Sequence, residues 1–153
     1  MANTYTQIYL QVVFAVSARV CLINSDRREE LQKYITGIVT AHEQKLIAIF
    51  CMPDHTHILL GLKPNAAPSG LIGKIKSGSS NHINEQHWFG CRFSWQEGYG
   101  AFSVSQSHLD RTINYIRNQE THQRKKPFHK EYLDFLNRHR VLFDERYVFK
   151  KIE

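Results

Sequence analysis

Two apolar runs of strand length, Lys45–Cys51 and His55–Leu62, are separated only by Met52-Pro53-Asp54. Proline pre-sets its own φ and aspartate favours tight turns. A chain with this spacing is expected to double back and pair the two runs as an antiparallel hairpin. The segments on either side supply the rest of a sheet and its cover. Residues 5–16 alternate and then become continuously apolar through Ile8, Leu10, Val12, Val13 and Phe14, which predicts another strand. Residues 27–42 place Leu31, Tyr34, Ile35, Ile38 and Val39 on one helical stripe. Ser25 is the candidate cap there, and Asp26, Glu29 and Glu30 sit where a helix dipole favours acids.

Beyond the hairpin, residues 69–85 predict a second helix, capped by Ser69, with Leu71, Ile72, Ile75 and Ile83 inward and with Gly73 and Gly78 weakening it. Residues 91–95 and 101–105 read as short strands around the turn Gln96-Glu97-Gly98-Tyr99-Gly100. A third helix is predicted from about 107 to 122 and a fourth from about 130 to 139, with Lys125-Lys126-Pro127 breaking the chain between them. The tail, 141–152, is expected to dock as an extended segment. Strand, helix, strand, strand, helix, strand and then helices is the order of an α+β sandwich, an antiparallel sheet with helices packed on one or both faces. Its 153 residues suit a single domain spanning 1–153.

Composition narrows the partners. Apolar residues at 42% and charged ones at 22% exclude a disordered tail, and no apolar run is long enough to cross a bilayer. A cytoplasmic protein with no membrane partner is the expectation, since residues 1–11 lack the layout of a secretory signal. The formal net charge of +6 favours an anionic partner, of which nucleic acid is the commonest. The three cysteines, Cys21, Cys51 and Cys91, are widely spaced and form no C-x-x-C, so buried free thiols are expected rather than a disulfide framework or zinc ribbon.

The most informative stretch is Met52-Pro53-Asp54-His55-Thr56-His57-Ile58-Leu59-Leu60. Alternate side chains of a strand share a face, so His55 and His57 project together, on the order of 7 Å apart at the backbone. Two imidazoles so placed can grip one divalent metal, with a third ligand drawn from elsewhere. Satisfied surface histidines are the bland alternative. A histidine-triad hydrolase would need histidine where Leu59 stands, and no metalloprotease helix motif is present.

The segment 107–122 offers that third ligand. Leu109, Ile113 and Ile116 form its buried stripe, while His108, Arg111, Tyr115, Gln119 and His122 lie on a neighbouring polar stripe. Tyr115 and Gln119 are one turn apart and can reach the same point. Most helical tyrosines simply pack at the edge of a core. Beside a metal, however, a phenol whose ordinary pKa is near ~10 becomes a usable nucleophile toward phosphate, and Gln119 can serve as a neutral metal ligand.

Taken in order, several motifs resemble one family, the HUH single-tyrosine transposases of small bacterial insertion sequences and their domesticated repeat-associated relatives. The motifs are Thr6-Gln7-Ile8-Tyr9-Leu10-Gln11-Val12-Val13-Phe14-Ala15, Met52-Pro53-Asp54-His55-Thr56-His57, Trp95-Gln96-Glu97-Gly98-Tyr99-Gly100-Ala101-Phe102-Ser103 and Asn114-Tyr115-Ile116-Arg117-Asn118-Gln119. The resemblance implies a ferredoxin-like or RRM-like sheet in a homodimer, with Mg²⁺ or Mn²⁺ held by His55, His57 and Gln119. It implies that Tyr115 attacks single-stranded DNA at hairpin-marked ends, through a 5′-phosphotyrosine, and that the tyrosine helix can serve the partner subunit's histidines. Two positions depart from the family pattern: Thr56 stands where a bulky apolar residue is usual, and Arg19 lacks the lysine that often precedes it.

Candidate DNA contacts are Arg19, Lys74, Lys76 and Ser77, with Arg111, Arg124 and Lys125 around the tyrosine helix. Trp95, Tyr99 and Phe102 are better placed in a core or dimer contact than on bases. Two other functions use the same chain: a domesticated nuclease nicking palindromic repeats, and a catalytically silent nucleic-acid-binding dimer.

Overall fold

The computed structural model describes residues 3–149, apart from the side chain of Arg19. Its elements are β1 (Ile8–Ala15), α1 (Ser25–Ala41), β2 (Lys45–Cys51), β3 (His55–Leu62), α2 (Pro68–Glu85), β4 (Gly100–Val104), α3 (Leu109–Arg117), α4 (Gln119–Lys125) and α5 (Phe128–Arg138). The four strands form one sheet in the order β2-β3-β1-β4, every neighbouring pair antiparallel. This is the ferredoxin-like arrangement expected from the sequence.

Helices cover both faces, which explains why residues 12–16 are buried without interruption. On one face Val12 lies opposite Ile58 and Phe14 opposite Thr56, in a core shared with Leu31, Ile35 and Val39 of α1 and Leu71, Ile72 and Ile75 of α2. The other face carries Ala48 and Leu59, which pack against Ile116, Ile113 and Leu109 of α3.

Several local expectations are corrected. Asn24, not Ser25, caps α1, its Oδ1 accepting from the Arg27 backbone N–H at 3.1 Å. Pro68 opens α2, and the Ala67 cap makes no side-chain bond; a first-turn proline has no N–H to satisfy, so Ser69 is not needed as a cap. Gly78 lets α1 approach α2, because a Cβ there would lie 2.8 Å from Ile38 Cδ1. Residues 91–95 form no strand, only a bridge between Val16 and Trp95. The Asn84 side chain takes the place of a strand partner, accepting from Phe93 N at 2.7 Å and donating to Phe93 O at 3.0 Å. Cys21 and Cys91 are brought together as a disulfide pair, Cα atoms 6.9 Å apart, so only Cys51 fits the free, buried reading. The tail makes a short 3-10 turn, Glu145–Tyr147, and then buries Val148 and Phe149. Residues 150–152 lie outside the described residues.

Gly100, at the start of β4, is held against α5. A Cβ at this position would lie 2.5 Å from Tyr132 Oη and 2.9 Å from that ring's Cε2. Gly100→Ala is expected to cost about 1–3 kcal/mol through overpacking, read as a lowered urea midpoint at unchanged slope.

Candidate active site

The turn that precedes β3 is pinned by backbone bonds. Met52 N donates to His55 O, Val16 N to Asp54 O and Ile23 N to Pro53 O, at 2.8, 2.8 and 3.0 Å. This fixes the register in which His55 lies opposite Ala15 and His57 opposite Val13. Both imidazoles therefore emerge on the Leu59 face, ring centroids 5.0 Å apart, and both are fully buried. Thr56 points to the opposite face, across from Cys51 and Phe14, and is itself buried.

Each imidazole has one nitrogen held and one turned inward. Asp54 Oδ1 lies 2.6 Å from His55 Nδ1, which fixes the tautomer with the proton on Nδ1. The lone pair of His55 Nε2 then faces Gln119 Oε1 at 3.3 Å, while Gln119 Nε2 donates to the Tyr115 carbonyl at 3.4 Å. Two acceptors thus face one another in a buried space, an arrangement that a cation between them satisfies. Gln11 Nε2 donates to His57 Nδ1 at 3.4 Å, and His57 Nε2 lies 3.1 Å from Glu131 Oε1.

The single helix expected over 107–122 is interrupted. Residues Gln106–His108 form a 3-10 turn, α3 ends at Arg117, and Asn118 departs from helical geometry (φ −101°, ψ 26°) before α4 begins. The interruption brings Gln119 under the histidines, where it is fully buried, instead of leaving it on the polar stripe of a straight helix. Tyr115, at the end of α3, lies beside His57 of the same chain, ring centroids 6.0 Å apart, and stacks on His122 at 4.5 Å. Its phenol feels the neighbouring Glu131 carboxylate. Of the rest of the predicted polar stripe, His108 bonds to Ser105 and Arg111 is exposed.

The fourth helix begins two residues before its expected start, at Phe128, because Pro127 caps it. That extra turn stacks Phe128 on His55, ring centroids 3.9 Å apart and interplanar angle 7°. From the same helix Glu131 reaches His57 and Gln123, and Phe135 packs on Tyr115 at 5.7 Å. Sequence reasoning missed Glu131. The signal was an acid in line with Phe128, Tyr132 and Phe135 on an apolar helical stripe, where an unpaired carboxylate is costly.

The donor set fits a divalent cation. The inward atoms of His55, His57 and Glu131 all lie within 4.8 Å of one another. The 3.1 and 3.3 Å separations match the spacing of adjacent ligands around a six-coordinate ion, about 3 Å. Mixed imidazole and oxygen donors are compatible with Mg²⁺ or Mn²⁺.

Burial sets the proton inventory. The His57 ring is pushed down from 6.5 to about 4 by burial, against the opposing hydrogen bond of Glu131. Burial would raise the Glu131 carboxyl, but the hydrogen bond from His57 holds it below its usual range; the hydrogen bond from His55 likewise holds Asp54 low against its own burial. Burial and Glu131 together push the Tyr115 phenol upward, so it stays protonated in this closed arrangement. A buried neutral imidazole stabilises the fold fully above its unfolded pKa, and that contribution is lost as acid charges the ring. The metal-free protein is therefore expected to lose thermal stability as the pH falls from 6.5 toward 4, with the depressed carboxylates adding to the loss below that window. A melting temperature flat across this range would contradict a neutral, buried His57.

The candidate DNA contacts are not gathered into one patch. Lys74 and Ser77 are exposed on α2, on the face opposite the histidines, and Arg124 and Lys125 are exposed at the end of α4. Lys76 donates to the carbonyls of Gln96 and Gly98 at 2.8 and 2.6 Å, so its ammonium secures the loop before β4. The Arg19 side chain lies outside the described residues. Trp95 and Phe102 are buried core residues, whereas Tyr99 is partly exposed.

A ferredoxin-like sheet that presents a buried H-x-H pair to a tyrosine at the end of one helix and a glutamine at the start of the next defines the HUH single-tyrosine class of transposases. Residues 4–119 match the family model for IS200-like transposases, and the chain belongs to that family, whose members bind and cleave DNA. It is 22% identical over 120 residues to the ISDra2 transposase TnpA of Deinococcus radiodurans, covering 74% of this chain and 84% of that protein. A crystal structure described as a transposase from Deinococcus radiodurans superposes with a TM-score of 0.59 at 23% identity, over 78% of this chain and 95% of the other. A REP-associated tyrosine transposase bound to a REP hairpin superposes with a TM-score of 0.62 at 12% identity, over 100% and 98%. These two likenesses concern the fold. No helix among the described residues is long and apolar enough to cross a membrane.

Proposed function

We propose that this chain is a metal-dependent transposase that cuts and rejoins single-stranded DNA with Tyr115 as nucleophile. The observation that carries the reading is the meeting, within one chain, of the Tyr115 ring with His57, itself part of the buried cluster of His55, His57 and Glu131. His55, His57, Gln119 and Glu131 would hold Mg²⁺ or Mn²⁺, which neutralises and polarises the scissile phosphate. The Glu131 carboxylate, neighbouring the phenol, would orient the oxygen. That oxygen attacks phosphorus, a bond forms from Tyr115 to the 5′-phosphate, and the departing strand leaves as a 3′-hydroxyl. Attack by that hydroxyl, or by one from another strand, on the phosphotyrosine restores a phosphodiester and frees the phenol.

Because the histidines and Gln119 have no exposed surface, α5 has to move aside to admit a strand. Hairpin-marked ends are the proposed substrate, with Arg111, Arg124 and Lys125 as the phosphate contacts nearest the tyrosine helix, and with Arg19, Lys74 and Ser77 on a more distant strand path. Since one chain supplies Tyr115 and all four ligands, first-strand cleavage does not need a tyrosine from the partner in the proposed homodimer. A second reading, a resident nuclease of palindromic repeats, uses the same groups. The likeness that spans the whole chain, α5 included, favours keeping it. The deciding experiment incubates the protein with a labelled single-stranded hairpin and Mn²⁺ and seeks a covalent protein–DNA adduct on a denaturing gel. Binding without any adduct would identify a silent DNA-binding protein instead.

A further inference from the structure

The break at Asn118 leaves Gln119 without the support of α3. Its position depends on how α4 itself is held, and α4, Gln-Glu-Thr-His-Gln-Arg-Lys, carries no hydrocarbon side chain to bury. Among the described residues the helix is fastened by polar and stacking contacts. His122 stacks on Tyr115, Gln123 bonds to Glu131, and Glu120 receives a charged bond from Arg28 at 2.7 Å. The last of these comes from outside the cluster. Arg28 belongs to α1, which packs on the opposite face, and its guanidinium passes around the end of β2. There Nε donates to Cys51 O at 2.9 Å, the plane lies 4.5 Å over the Phe50 ring, and Nη1 meets Glu120. Three fixed partners and half-burial leave this side chain little rotamer freedom to lose, unlike an ordinary surface ion pair.

We infer that Arg28 is a positioning residue for the transposition site, a strut that holds Glu120, and through it the adjacent Gln119 carboxamide, in place under the histidine pair. The inference rests on the functional reading above, in that Gln119 is taken as a metal ligand. Arg28 touches neither metal nor DNA; it acts by keeping α4 docked.

The test measures Mn²⁺ binding to the full chain by calorimetry, and the Mn²⁺ dependence of adduct formation on the labelled hairpin. The proteins are wild type, Arg28→Glu, Glu120→Arg, the double exchange, and Glu120→Gln, whose half-exposed position rules out a folding defect. Loss of a group that orients a ligand weakens metal affinity about tenfold, so each single charge reversal is expected to show that loss and Glu120→Gln roughly a threefold loss. Cleavage by the single variants should return at high Mn²⁺, and the double exchange should restore affinity to within about threefold of wild type. Wild-type Mn²⁺ affinity in Arg28→Glu and Glu120→Gln would overturn the strut while leaving the active-site reading standing. So would a double exchange no better than its parents. A wild-type protein that neither binds Mn²⁺ nor forms the adduct would overturn both.

Discussion

Tyr115→Phe should lower covalent adduct formation by more than about 10⁴-fold while leaving hairpin binding within about twofold, because the lost atom is the proposed nucleophile and the ring is retained. Stability should change by less than about 1 kcal/mol, since Glu131 keeps its bonds to His57 and Gln123 and the phenyl ring still packs on Phe135. Phosphotyrosine trapping and a mobility-shift assay on the same preparation check both halves. Residual cleavage of the wild-type bond in the variant would mean that water or another side chain attacks, and that Tyr115 only lines the site.

His57→Ala should have the second largest effect, and it should register in folding as well as in chemistry. The variant removes one proposed metal ligand and the donor to Glu131 Oε1, and it leaves a cavity beneath Phe135. A buried carboxylate stripped of its main partner, plus the void, is expected to cost about 3–5 kcal/mol. Cleavage should fall at least about 10³-fold even at saturating Mn²⁺. Adding Glu131→Leu to His57→Ala removes the orphaned charge and should recover part of the stability with none of the activity. Recovery of both would show that the imidazole serves the fold alone.

Much of this arrangement is legible in the chain. The Lys45–Cys51 and His55–Leu62 runs form the hairpin as read, and the two-residue period of a strand sends both imidazoles to one face. Tyr115 and Gln119 could be linked to each other because they stand one helical turn apart, and to that face through the family resemblance. What periodicity could not convey was tertiary. A straight helix through 122 is the cheapest local reading, yet burying Gln119 under His55 requires the turn at Asn118, and the return comes from contacts distant in sequence. Glu131 was hidden for a related reason. Its main partner stands at position 57, so the acid reads as an ordinary helix residue until α5 is folded over the sheet. The strand expected at 91–95 failed because the Asn84 amide satisfies that backbone, a substitution no strand propensity records.

The aromatic ring of Phe128 lies flat on His55, and the donor atoms beneath it are sealed from solvent. An aqueous cation cannot shed its hydration shell through a closed hydrocarbon surface, so entry waits on a spontaneous opening of the C-terminal helix. Metal capture by the proposed site would then be a gated process: its observed rate would level off at the opening frequency however concentrated the ion became, and the same gate would slow escape once the ion was inside.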